Sequence, residues 1–162
     1  MYRNLLNTDE MRTFLFLPLF FFFILGCKSI ERRMATHDSD LYIGIHDCFE
    51  NDTLKVLIND QEIINITNLT SNSLGVTDIY IQYYSTGKNK GIIVIYNSNK
   101  SETRKEIYLD LKKEIMLEVI RNNNSDKFLI DIKKGKKIVV SGCSEDRKTT
   151  SIIYFKKKII VE

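Results

Sequence analysis

Three stretches in the second half of the chain read KEIYLDL (residues 105–111), EIMLEVI (114–120) and KFLIDIK (127–133). In the first, Ile107, Leu109 and Leu111 alternate with Tyr108 and Asp110. In the second, Ile115, Leu117 and Val119 fall two apart, as do Phe128, Ile130 and Ile132 in the third. Residues two apart in an extended chain point to the same side, so each stretch offers one apolar face and one mixed face. The pattern has a period of two rather than the 3.6 of a helix. The stretches are therefore expected to be half-buried strands.

Turn signals separate them: Lys112-Lys113, the run NNNSD at 122–126, and Lys134-Gly135-Lys136, where Gly135 can take the positive φ of a tight hairpin. With 137–141 these strands are expected to form an antiparallel meander. Upstream, 53–58 and 62–67 flank Asn59-Asp60-Gln61, a second hairpin candidate. GIIVIY (91–96) is apolar on both sides and suits a strand covered on both faces. Further strands are expected at 76–84, 151–155 and 159–161. About nine strands without an amphipathic helix predict an all-β protein, an antiparallel β-sandwich over residues 41–162. The strand spacing looks like that of transthyretin-like or immunoglobulin-like sandwiches of bacterial envelope proteins; an up-and-down β-barrel is the alternative.

The chain has 162 residues, 43% hydrophobic and 28% charged, which is ordinary for a globular protein. Its 24 basic and 21 acidic residues nearly cancel, whereas a nucleic-acid binder usually carries a localised basic excess. No nucleic-acid partner is expected. The one charge pattern is the lysine group 133, 134, 136 and 137, followed by Lys156-Lys157-Lys158. Such a group either protects an edge strand, the plainer reading, or sits against anionic head groups.

The N-terminal run TFLFLPLFFFFIL (13–25) carries no charge. As a helix it would rise about 20 Å, short of the roughly 30 Å hydrocarbon core, so it fits the apolar region of a signal peptide better than a spanning anchor. It ends in Ile24-Leu25-Gly26-Cys27, which resembles the lipobox of bacterial lipoproteins, with Leu25 where Ala or Ser is more usual. The resemblance covers the first 27 residues. It implies diacylglycerol on the Cys27 thiol, cleavage between Gly26 and Cys27, and acylation of the new amino group. Each buried methylene contributes about 0.8 kcal/mol, and two or more chains hold where one is marginal. An ordinary cleaved signal and an uncleaved anchor are the alternatives.

Residues 27–40 then form the acylated cysteine and a polar tether. By analogy with enterobacterial lipoproteins, Lys28 is not the aspartate that favours inner-membrane retention, so the outer membrane is the expected destination. Cys48 and Cys143 would reside in a disulfide-permissive compartment. A bridge between them is expected and would contribute up to about 4.5 kcal/mol on chain-entropy grounds; two separate thiols are the alternative.

Chemistry-bearing groups are few. His37-Asp38-Ser39-Asp40 and His46-Asp47-Cys48 hold metal-ligand types without the spacing of a zinc or calcium loop, so no metal is expected. Ser141-Gly142-Cys143-Ser144-Glu145-Asp146 has nucleophile types and carboxylates but no neighbouring histidine. No glycine-rich phosphate loop follows a strand, and no cofactor is expected. The expectation is a non-enzymatic, membrane-anchored lipoprotein with a binding or structural role in the cell envelope and an envelope protein as partner. An inhibitor or immunity-type lipoprotein and a periplasmic hydrolase on a β scaffold are the alternatives.

Signal peptides begin with a short positive region, yet Asp9 and Glu10 precede the apolar run while Met11-Arg12 would serve directly. Initiation is expected at Met11. Peptide mapping of precursor trapped with a signal-peptidase inhibitor should find nothing from residues 2–9; any such peptide contradicts it.

Overall fold

A computed structural model describes residues 39–97, 101–146 and 148–155. Cys27, most of the tether, Lys156 to Lys158 and the strand expected at 159–161 lie outside the described residues. Ten strands run through the described part: β1 (Leu41–Ile45), β2 (Asp52–Ile58), β3 (Gln61–Leu69), β4 (Ile79–Gly87), β5 (Lys90–Tyr96), β6 (Glu102–Ile107), β7 (Ile115–Arg121), β8 (Asn124–Ile130), β9 (Lys137–Ser141) and β10 (Ser151–Phe155). They form two open sheets, one in the order β10-β9-β1-β4-β5-β6 and the other β3-β2-β7-β8. The fold is all-β and a sandwich. Neither sheet closes on itself, so it is not a barrel.

Alternation explains the core. Leu41, Ile43 and Ile45 of β1 and Ile79, Ile81 and Tyr83 of β4 are buried from the larger sheet. Leu54, Val56 and Ile58 of β2 and Ile115, Leu117 and Val119 of β7 meet them from the smaller one. Burying each such side chain contributes about 1.5–3 kcal/mol. Polar bonds stitch the two sandwich edges. Lys105 Nζ donates to the Ile63 carbonyl at 3.0 Å on one side. On the other, Asp126 accepts from Thr150 N at 2.6 Å, and Tyr154 Oη accepts from Asp131 N at 3.0 Å.

Two hairpins follow the turn chemistry of the sequence. Asn59 and Asp60 have φ of 47° and 64°, and Asn122 and Asn123 have 47° and 71°. Positive φ at both central residues is what a two-residue hairpin turn needs, and Asn and Asp tolerate it best after Gly. The turn at Asn122 is therefore shorter than the five-residue run NNNSD suggested, and β8 begins at Asn124 rather than Lys127.

The expected meander is not formed. Only β7 and β8 make a hairpin from that set. β6 pairs with β5 at the edge of the larger sheet, and β9 crosses back to lie parallel to β1, the one parallel pair among the described strands. The strand expected at 105–111 ends at Ile107, opposite Gly91, where β5 gives way to the β4–β5 turn; one backbone bond follows, from Leu109 N to Asn89 O at 3.2 Å. Leu109 nevertheless stays buried, its carbonyl held by Tyr83 Oη at 3.1 Å. Gly135 is also not a hairpin glycine. It does not take a positive φ, and a Cβ there would lie 3.1 Å from the Phe155 carbonyl. The turn itself runs from Asp131 to Lys134, with Asp131 accepting from Lys133 N at 3.0 Å.

Gly91 is the tightest close approach, since a Cβ there would overlap the Tyr83 ring. Gly91→Ala should therefore destabilise the domain by about 1–3 kcal/mol, read as a lower urea midpoint at unchanged slope. An unaltered midpoint would show that the Tyr83 ring is not locked.

Candidate functional site

Two features stand out where the strands bring distant residues together. The first is at the end of the sandwich where β1 finishes. Cys48 and Cys143 are joined in a disulfide, with Cα atoms 5.0 Å apart across a sequence separation of 95. Beneath it lies Arg121, the last residue of β7 and 2% exposed. Its Nη1 donates to the Gly142 carbonyl at 2.7 Å, and its Nη2 to the Cys48 carbonyl at 2.8 Å and to Asp52 Oδ2 at 2.7 Å. The guanidinium lies over the Phe49 ring, 5.0 Å from its centre. Asp52 also accepts from Glu50 N at 3.0 Å and from the Asn122 side-chain amide. Gly142 has no room for a Cβ, which would lie 2.9 Å from Arg121 Nη1.

Burial by itself raises the Asp52 pKa, but the hydrogen bonds from Arg121, Glu50 and Asn122 and the Arg121 charge outweigh it, so the carboxyl is held below the usual aspartate range. Two buried polar atoms, Asp47 Oδ1 and Arg121 Nε, have no hydrogen-bond partner among the described residues.

The second feature is the face of the larger sheet that points away from the smaller one. Tyr80 lies opposite Tyr96, and Tyr96 opposite Glu102, in one row across β4, β5 and β6. Tyr80 and Tyr96 stack at 4.5 Å between ring centres, and Tyr42 of β1 stacks on Tyr80 at 5.9 Å. Gly44 allows this crowding, because a Cβ there would meet His46 Nε2 at 2.8 Å and the Tyr42 ring at 3.2 Å. Burial, then the neighbouring Tyr80, pushes the Tyr42 hydroxyl up to about 12. Burial also lowers the His46 pKa, opposed by the charge of Asp47. On β5, inward Ile93 and outward Val94 are both buried, as the doubly apolar GIIVIY suggested.

The residues singled out in sequence are placed as follows. His46 joins the tyrosine face, whereas His37 is outside the described residues. Among the described residues no group of three metal-ligating side chains converges. Ser144 Oγ donates to Asp146 Oδ1 at 2.8 Å, and Asp146 also accepts from Lys148 N and Thr149 N, so this carboxylate organises its own loop. These bonds hold its pKa well below the usual carboxylate range. Among the described residues no helix is long and apolar enough to cross a membrane. No protein family matches the chain, and neither a curated protein nor a solved structure does.

Sequence reading found neither the Arg121–Asp52 pair nor the tyrosine row. The pair is separated by 69 residues; the signal available was local, since each charge falls in phase with the apolar residues of its strand, Asp52 with Leu54 and Val56 and Arg121 with Leu117 and Val119. The row had one faint signal, the apolar residues on both faces of 91–96.

Asp52→Ala would leave the Arg121 charge buried without its counter-ion, and should cost about 3–5 kcal/mol in chemical denaturation. Because the folded pKa of Asp52 is depressed, its contribution is complete at neutral pH and is lost as pH falls below the unfolded value of about 3.9. The wild-type midpoint should therefore drop more steeply between neutrality and pH 3 than that of Asp52→Ala. Parallel profiles would remove Asp52 from the account of acid stability.

Proposed function

We infer that the chain is a bacterial lipoprotein, acylated at Cys27 and held at the envelope, with the outer membrane as its destination. It displays the β-sandwich in a binding or structural role. The observation that carries the anchor is Ile24-Leu25-Gly26-Cys27 at the end of an uncharged apolar run. The thiol is the nucleophile that receives the lipid, and Gly26 leaves the backbone open to the peptidase. Acyl chains then replace the discarded apolar segment as the anchor.

The binding role is supported by the outward tyrosines. Tyrosine is enriched at interfaces because one ring offers a large rigid apolar area and a polar tip. Tyr42, Tyr80 and Tyr96 are only half-buried and form one continuous array across three strands.

Cell fractionation of wild type beside Cys27→Ser tests the anchor. Wild type should be processed and should stay with membranes through high-salt washing. Cys27→Ser should keep its apolar N-terminal segment and accumulate as precursor. Identical processing and partition of the two would contradict the reading.

A further inference from the structure

The strand registers place one set of loops together. β1 and β9 start, and β2, β4, β6, β8 and β10 finish, at the same end of the sandwich. Backbone bonds confirm the grouping: Tyr42 N donates to Lys136 O at 2.8 Å, Asn59 N to Met116 O at 2.9 Å, and Leu109 N to Asn89 O at 3.2 Å. This is also the end at which the chain enters the sandwich, through Asp40, whose N–H donates to Tyr83 O at 2.9 Å. Only residues 28–38 separate Cys27 from Ser39, and eleven residues span at most about 40 Å.

The chemistry of that end is uneven. Its loops carry Lys88, Lys112, Lys113, Lys133, Lys134 and Lys136, all exposed and none in an ion pair among the described residues. The same loops carry the acids Asp40, Asp60, Asp110, Glu114 and Asp131, whose charges offset much of the lysines' but not all of it; Asp110 is turned to Lys112 N, Asp131 to Lys133 N and Asp40 to Ser85 N. Large apolar side chains are exposed among the lysines. Tyr108 is 67% exposed, with Lys90 Nζ 5.4 Å from its ring centre, and Phe155 at the close of β10 is 38% exposed. Among the described residues, the loops of the opposite end carry Asp47, Glu50, Asp78, Glu145 and Asp146, with Lys148.

We propose that this lysine-rich end, with Tyr108 and Phe155 at its surface, is a docking surface for an anionic phospholipid bilayer. The proposal rests on the lipid-anchored reading. The acyl chains hold the protein at the membrane, and the loops around Lys112 and Lys134 set the sandwich end-on against it. Lysines meet the lipid phosphates while the two rings enter the interfacial zone. The acidic end and the tyrosine face then stay clear of the bilayer, open to a partner.

The native chain contains no tryptophan, so Tyr108→Trp and Leu74→Trp each carry a single indole. Leu74 is 85% exposed in the loop after β3, at the opposite end, and serves as the control. Each acylated protein is placed in nanodiscs of brominated phosphatidylcholine, with or without phosphatidylglycerol, and its fluorescence is recorded. The Tyr108→Trp indole should be quenched in anionic discs and released by added salt, and the Leu74→Trp indole should not be quenched. Adding Lys133→Glu, Lys134→Glu and Lys136→Glu should abolish the quenching, each lost lysine weakening docking about fivefold. Absence of quenching at Tyr108→Trp in anionic discs, or equal quenching at both positions, overturns the docking. Failure of the protein to stay with discs of either composition overturns the anchor itself, and the docking with it.

Discussion

One buried guanidinium ties this fold together. Arg121 closes β7, and its two terminal nitrogens reach the start of β2 through Asp52 and two loops through the carbonyls of Cys48 and Gly142. A charge taken out of water is tolerable only if every surrounding group is in place. The disulfide holds the two carbonyls where Arg121 needs them. Asn122 adds a second bond to Asp52 and accepts from Thr53 N, so the β7–β8 turn is locked to β2 as well. Breaking one member leaves the others buried and unpaired, and that makes the cluster cooperative.

Much of the sandwich was legible because alternation is a local property. β2, β7 and β10 fall where the period-two pattern puts them, within one residue at each end. The failures share a cause. Alternation reports which side chains are buried and not which backbones are paired. Ile107 and Leu109 therefore look like one strand, although paired residues end at Ile107 and only the Leu109 N to Asn89 O bond follows. Strand order is not local either. Nothing in KIVVS announces that it will lie parallel to LYIGI, some ninety residues earlier in the chain.

Sites were harder to read than strands, again for physical reasons. The cysteines could be paired by counting, since only two remain after Cys27. The ion pair could not: alternation puts Arg121 in phase with buried Leu117 and Val119, and Asp52 in phase with Leu54 and Val56, but it does not say which distant charge meets which. The tyrosines came from three strands, and their stacking depends on Gly44 and on a register that sequence alone does not supply. The lysines at 133–137 were visible as a run. Their company with Lys88 and Lys112 appears only once the loops are folded to one end.

If Cys27 carries acyl chains, the molecule has a direction. Under the docking proposed above, the clasped end points outward and the lysine-rich end faces the bilayer, with the tyrosine face between them. All of this turns on the attachment point. Intact-mass spectrometry of the protein extracted from membranes tests it most directly. The account requires a polypeptide that begins at Cys27 and carries a thioether-linked diacylglycerol. A lipid-free chain, or one that still holds the residues before Cys27, contradicts it.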